Sequence, residues 1–132
     1  MKNSIDKITE DIIGACIKIH KELGPGLLES VYEEVLYFEL TRNYGYKVSR
    51  QKSIDIVYQG IKMEKGFRAD LIVEDLVLIE LKSVEEMHRK FKKITLSYIR
   101  LANLEVGLLI NFGEDLLKKG ITRLVNNYSG DI

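Results

Sequence analysis

Asp70, Glu80 and Lys82 are charged residues inside two otherwise apolar runs, Phe67-Arg68-Ala69-Asp70-Leu71-Ile72-Val73 and Val77-Leu78-Ile79-Glu80-Leu81-Lys82. Both runs have strand character, and the polar pair Glu74-Asp75 between them predicts a tight turn. Side chains alternate across a strand, so Leu78, Glu80 and Lys82 share one face while Val77, Ile79 and Leu81 share the other. Charges buried in such a place must pair with each other or hold a metal ion. Asp70 and Glu80 offer the hard oxygen ligands that magnesium or manganese prefers. Two carboxylates leave positions open for water and a substrate oxygen, and the ion can lower the water's pKa and offset charge on a phosphate. Lys82, one strand repeat beyond Glu80, would point at the same water and could orient or deprotonate it, the more so if partial burial lowers its pKa. The plainer alternative is a surface Glu–Lys pair beside an unrelated strand-end aspartate.

The rest of the chain must position this hairpin. Ile5, Ile8, Ile12, Cys16, Ile19 and Leu23 recur at three- and four-residue steps and predict an amphipathic helix, with Ser4 as its N-cap. Gly24-Pro25-Gly26 stops it. A second helix is expected over 27–43, with Leu28, Val31, Val35 and Phe38 as its buried stripe and Gly45 as its terminator. Alternation from Tyr46 to Tyr58 predicts a strand, Gln59-Gly60 a turn, and 61–64 a further strand before the hairpin. After Lys82, the residues Met87, Phe91, Ile94, Tyr98 and Leu101 return to helical spacing, closed by Asn103-Leu104-Glu105. Val106-Gly107-Leu108-Leu109-Ile110-Asn111-Phe112 is nearly all apolar, which suits a parallel strand buried on both faces. A last strand is expected at 121–125, with a loose tail from Asn126. The order is α-α-β-β-β-β-α-β-β, an α/β mixed sheet with helices on both faces and a right-handed crossover between the strands of Lys82 and Val106.

At 132 residues the chain suits one domain, 1–132, with room for a core. It is 45% hydrophobic and 30% charged, ordinary for a globular protein. Its 20 basic and 20 acidic residues cancel, so a nucleic-acid surface must be local rather than global. Cys16 is the lone cysteine, which excludes an internal disulfide framework and a cysteine-rich zinc site; its position on the apolar side of the first helix reads as core. The polar start and the lack of a membrane-length apolar run lead to the expectation of a cytoplasmic protein with no membrane segment.

Asp70 followed by Glu80-Leu81-Lys82 resembles the Asp…Glu-x-Lys signature of the PD-(D/E)XK nuclease superfamily. Gly26-Leu27-Leu28-Glu29-Ser30-Val31-Tyr32 is similar to the Gly-x-x-Glu-x-x-Tyr pattern that names the GxxExxY family within it. Arg68-Ala69-Asp70 and Gly107-Leu108-Leu109-Ile110-Asn111-Phe112-Gly113 resemble that family's later blocks, so the likeness runs in order from residue 8 to 125. It implies a restriction-endonuclease-like fold with the acidic site at one edge of the central sheet. It further implies Asp70 and Glu80 as ligands of magnesium or manganese, Lys82 as the catalytic lysine, and Glu29 as a helix acid that joins the metal site directly or through water.

Glu29 and Tyr32 lie three apart on one helical face. As plain structure, Glu29 is an acid favoured at a helix start and Tyr32 a partly buried aromatic. Arg68, two before Asp70, could contact a phosphate or pair with a carboxylate. Tyr32, Arg68 and Tyr98 are thus the candidates for contact with substrate. Many relatives carry Gln-x-x-x-Tyr in the helix after Glu-x-Lys; here Tyr98 is present and Ile94 stands four before it. The basic block His88-Arg89-Lys90-Phe91-Lys92-Lys93 reads first as a solvated helix face and second as a phosphate-tracking surface. The expected activity is magnesium-dependent hydrolysis of nucleic-acid phosphodiester bonds, DNA foremost, by a chain that works as a homodimer or with a partner protein. The alternative is a non-catalytic binding module for nucleic acid or protein on the same fold.

Overall fold

The computed structural model describes residues 4–128; what the sequence predicts for Met1-Lys2-Asn3 and for 129–132 lies outside them. Helix α1 (Ile5–Leu23) buries Ile5, Ile8, Ile12, Cys16 and Ile19 along one side, as their spacing dictates. The Ser4 hydroxyl accepts from the Lys7 N–H at 3.0 Å and caps it.

Helix α2 (Glu29–Phe38) continues into one π-helical turn, Glu39–Asn43. Its buried side is not the expected one. Leu28 and Phe38 are 73% and 51% exposed, while Tyr32, Leu36 and Leu40 are fully buried and Glu33 and Glu39 nearly so. Leu28-Val31-Val35 and Tyr32-Leu36-Leu40 are both helical apolar series. The second wins because its side also takes two acids to waiting donors: Glu33 to Arg50 and Gln51, Glu39 to Lys18 and Asn43.

The main sheet has the strand order β1-β4-β5-β6-β7. These are β1 (Val48–Ile54), β4 (Phe67–Val73), β5 (Val77–Lys82), β6 (Val106–Asn111) and β7 (Ile121–Val125). All neighbours are antiparallel except β5 and β6, which run parallel in the register Glu80↔Leu109 and Lys82↔Asn111. The single strand expected from Tyr46 to Tyr58 is divided. Its pairing with β4 ends at Ile54↔Phe67, where β4 begins, and the chain then forms its own hairpin from β2 (Val57–Tyr58) and β3 (Ile61–Lys62). Among the described residues the order is therefore α-α-β-β-β-β-β-α-β-β, one strand more than expected.

The β4–β5 turn is as tight as predicted: Glu74 and Asp75 take φ of 54° and 55°, and the Leu76 N–H donates to the Val73 carbonyl at 2.9 Å. Helices cover both sheet faces. Leu71, Val73, Ile79, Leu81, Leu108 and Ile110 pack with α1 and α2. On the other side Ile72 and Leu78 pack with Ile99 of helix α3 (Lys90–Leu101). Here too the buried stripe is rotated from expectation: Thr95 and Ile99 are buried, Ile94 and Leu101 exposed. Gly107 fixes that rotation, because a Cβ there would stand 2.7 Å from Ile99 Cγ2. The tail is held rather than loose over its described part, since Asn126 donates from its N–H to Glu105 and from its side chain to Leu104. No helix among the described residues is long and apolar enough to cross a membrane.

Candidate active site

The ladder between β4 and β5 is regular from Val73↔Val77 to Leu71↔Ile79 and does not extend to Asp70 and Glu80. There the two carboxylates take over the pairing. The Asp70 N–H donates to Glu80 Oε2 at 2.9 Å, and the Leu81 N–H donates to Asp70 Oδ2 at 2.9 Å. Main-chain groups left over by the diverging strands are satisfied by the acids themselves, which in turn fixes where those acids point. Glu80 is only 8% exposed. Burial, and then the negative charge of Asp70, push its carboxyl up to about 8. Desolvation is the larger cause and the neighbouring acid adds to it, so the protonated form of Glu80 is favoured at this site.

Lys82 does not supply that charge by contact. Among the described residues no ion pair joins it to Asp70 or Glu80. Its ammonium lies 4.3 Å from the centre of the Phe91 ring, at the start of α3. A Glu–Lys surface pair is therefore not what this hairpin contains. The backbone after Lys82 is firmly placed. Buried Asn111 accepts from the Val84 N–H at 3.0 Å and the Gly113 N–H at 2.9 Å, and donates to the Val84 carbonyl at 2.9 Å. A Cβ on Gly113 would collide with the Val84 backbone, so glycine is required for this approach.

Two residues outside the expected set reach the acids. Gln51, in β1 opposite Asp70, has a φ of 48° and is left out of the ladder. Its Nε2 donates to Asp70 Oδ1 at 3.1 Å and to Glu33 Oε1 at 2.7 Å, and only the amide's nitrogen end can serve two carboxylates. Glu33 also accepts from Arg50 Nε at 3.3 Å and Nη2 at 3.2 Å, and its charge contributes to the rise at Glu80. The helix acid brought to this cluster is thus Glu33. Glu29, one turn earlier, is exposed and lines an open cleft of about 450 Å³ with Gly26, Leu27, Leu28, Ser30 and Ser83. The signal for Glu33 lay in its position between Tyr32 and Leu36, visible once α2 is turned to its true buried side.

The expected substrate-contact residues separate. Tyr32 is fully buried and corrects the sequence reading: its ring stacks on Phe112 at 4.2 Å, and its hydroxyl donates to the Gly24 carbonyl and accepts from the Leu27 N–H. It ties down the Gly24-Pro25-Gly26 turn and has no free surface for a ligand. Tyr98 does border the acids. Its ring stacks on Phe67 at 4.0 Å, and burial, followed by the charges of Glu80 and Asp70, raises its phenol above the usual value. Arg68 is exposed beside Phe67, in a cleft it shares with Ser53, Asp55 and Lys62. Ile94 lies on α3 between Phe91 and Tyr98 and is 39% exposed.

The family model of the PD-(D/E)XK nuclease superfamily matches residues 6–124. The chain belongs to that superfamily. The PD-(D/E)XK sheet and its flanking helices have the α/β restriction-endonuclease-like arrangement. No curated protein matches the chain. The crystal structure of SSO0001 is similar with a TM-score of 0.46 and 18% identity, covering 94% of this chain and 79% of that one.

Divalent metals are typical of PD-(D/E)XK nucleases. Among the described residues, no three His, Cys, Asp or Glu side chains converge as a ready metal cage. The donor set still fits one hard cation. Asp70 and Glu80 set two hard-oxygen carboxyl groups beside each other, bonded to main-chain N–H groups and the neutral Gln51 amide. Asp70 and Glu80 are the residues that would hold it.

Proposed function

We propose that this chain is a metal-dependent nuclease that hydrolyses phosphodiester bonds, with DNA the foremost substrate and magnesium or manganese the cofactor. The observation that carries this reading is the Asp70–Glu80 pair, fixed by reciprocal main-chain bonds where β4 and β5 part, with Lys82 the next residue on Glu80's face. When bound, the ion would supply positive charge that acidifies water and offsets charge on a phosphoryl oxygen. Glu33 and Gln51 brace Asp70 from the side of β1. Lys82, released from Phe91, donates to the attacking water or to a phosphoryl oxygen. The helix acid's place is assigned to Glu33, with Glu29 at the cleft beside Ser83.

Membership of the GxxExxY family is part of the same reading. Its supports are the ordered blocks and the work each does here: Tyr32 on the Gly24–Gly26 turn, Asn111 and Gly113 on Val84. The cytoplasm, and a second copy for cutting both strands of a duplex, complete the proposal.

The test is cleavage of duplex DNA, single-stranded DNA and RNA with magnesium or manganese. Activity is expected to vanish in EDTA and to fall by about two to three orders of magnitude in Asp70→Ala and Lys82→Ala. No cleavage by wild type, or equal cleavage by Lys82→Ala, overturns the proposal. A second reading, a binding module that does not cut, is favoured by the lysine's rest position over Phe91. It requires that titrated magnesium give no heat and that nucleic acid bind equally well in EDTA.

A further inference from the structure

The charges of this chain balance, yet they are not evenly spread. Lys7, Lys18, Lys47, Lys52, Lys62, Arg50 and Arg123 each meet a carboxylate, while Lys21, Lys65, Lys118 and Lys119 meet none among the described residues and lie elsewhere in the chain. Arg89, Lys90, Lys92 and Lys93 are all exposed, and none of them has an ion-pair partner among the described residues. They stand at the start of α3, whose first turn contains no acid. Cations there oppose the helix dipole, so local stability does not account for them. The N-cap residue, Arg89, makes no side-chain capping bond, and the Lys90 N–H donates instead to His88 Nδ1 at 3.1 Å.

The block's position is as telling as its charge. Phe91, in its middle, lies against Lys82 at 4.3 Å and Lys90 at 5.5 Å. Two helical turns on, Tyr98 stacks on Phe67, in the same strand as Asp70. Helix α3 therefore runs alongside the acidic pair, with its cationic end at Lys82. A polyanion crossing Asp70, Glu80 and Glu33 meets repulsion there and needs a compensating positive surface close by.

We propose that the cationic amino-terminal end of α3 is the surface on which a nucleic-acid phosphate backbone lies as it crosses the Asp70–Glu80 site. The proposal rests on the nuclease reading and deepens it by naming the surface that holds the substrate. Each cation that neutralises a phosphate releases counterions, so binding by this surface has a steep salt dependence.

The experiment measures binding of labelled duplex DNA, single-stranded DNA and RNA by fluorescence anisotropy in EDTA, where cutting is blocked, over a series of KCl concentrations. Three proteins are compared: wild type, an Arg89→Ala/Lys90→Ala/Lys92→Ala/Lys93→Ala variant, and a Lys21→Ala/Lys65→Ala/Lys118→Ala/Lys119→Ala variant with the same net charge. The α3 variant is expected to bind about 10- to 100-fold more weakly at 100 mM salt, with a log–log salt slope shallower by about 2 to 4. The second variant is expected to bind like wild type. Its thermal melt and that of the α3 variant verify that both are folded.

Equal slopes for wild type and the α3 variant overturn the proposal, as does equal loss in the two variants or the absence of wild-type binding at 50 mM salt. Poly-glutamate bound as tightly as DNA through the same residues also overturns it, in favour of an acidic protein partner. Binding that depends on α3 without cleavage in magnesium sinks the nuclease reading and leaves this surface standing. Cleavage with unchanged kcat/KM in the α3 variant does the reverse.

Discussion

Asp70 and Glu80 are locked to each other's strands: the Asp70 N–H donates to the Glu80 carboxylate, and the Leu81 N–H donates to the Asp70 carboxylate, both at 2.9 Å. The bonds hold two carboxyl groups side by side, Glu80 buried and Asp70 half-buried. Two carboxyl groups in fixed geometry are what a cation site needs before its cation arrives.

Burial of Glu80, with the Asp70 charge beside it, gives a pH prediction. Glu80 is raised to about 8 from 4.5, so its protonated form is favoured in the folded state. The stability linked to this carboxyl is fully present below 4.5, declines as pH rises, and is gone above about 8. In EDTA at pH 8, Glu80→Gln is expected to melt roughly 5 °C above wild type, with the gap closing toward pH 4.5. Magnesium is expected to raise the wild-type melting temperature more at pH 8 than at pH 6, because the proton competes with the ion. Scanning calorimetry measures both; a Glu80→Gln variant that melts lower at pH 8 speaks against an acid pair awaiting a cation.

Glu29 and Glu33 make contrasting variants. Glu33→Ala leaves Arg50 without its carboxylate and frees Gln51 to move from Asp70, so magnesium affinity is expected to weaken by about tenfold. Glu29→Ala is expected to change it less than twofold, since no bond connects Glu29 to the acids. Isothermal titration decides. The opposite order restores Glu29 as the helix acid.

Tyr32→Phe tests a structural role. Losing the hydroxyl removes its bonds to the Leu27 N–H and the Gly24 carbonyl, groups that water can still reach, a destabilisation of about 0.5–1.5 kcal/mol. Binding of nucleic acid by the folded variant is expected to be unchanged. Urea melts and anisotropy report the two effects separately.

Gly107→Ala is expected to destabilise by about 1–3 kcal/mol through overlap with Ile99 Cγ2. Leucine has no branch at Cβ, so Ile99→Leu in the same chain should recover part of the loss. A double-mutant cycle measures that coupling, and strict additivity would show that the contact is not what limits residue 107.

The hairpin, its polar turn, the nearly all-apolar β6 and the α1 stripe were legible in the sequence because each rests on a local pattern with no competing one. Asp70, Glu80 and Lys82 stood out as charges breaking such periods. Helix α2 was misjudged because Leu28-Val31-Val35 and Tyr32-Leu36-Leu40 are equally apolar series, and only partners distant in sequence choose between them. Glu33 was hidden by the same ambiguity. Gln51 was illegible for a different reason: nothing in its neighbours announces a left-handed backbone in a strand, since the need arises from Asp70 and Glu33 across space.

Gln51 has a consequence beyond the acids it joins. Strand β1 is an edge of the sheet, and a regular edge offers a row of main-chain groups to any other extended chain. The backbone reversal at residue 51 breaks that row at its middle, between the charged side chains of Arg50 and Lys52. The same distortion that aims an amide at the site makes β1 a poor template for strand addition, so protection from aggregation and assembly of the site are secured by one residue.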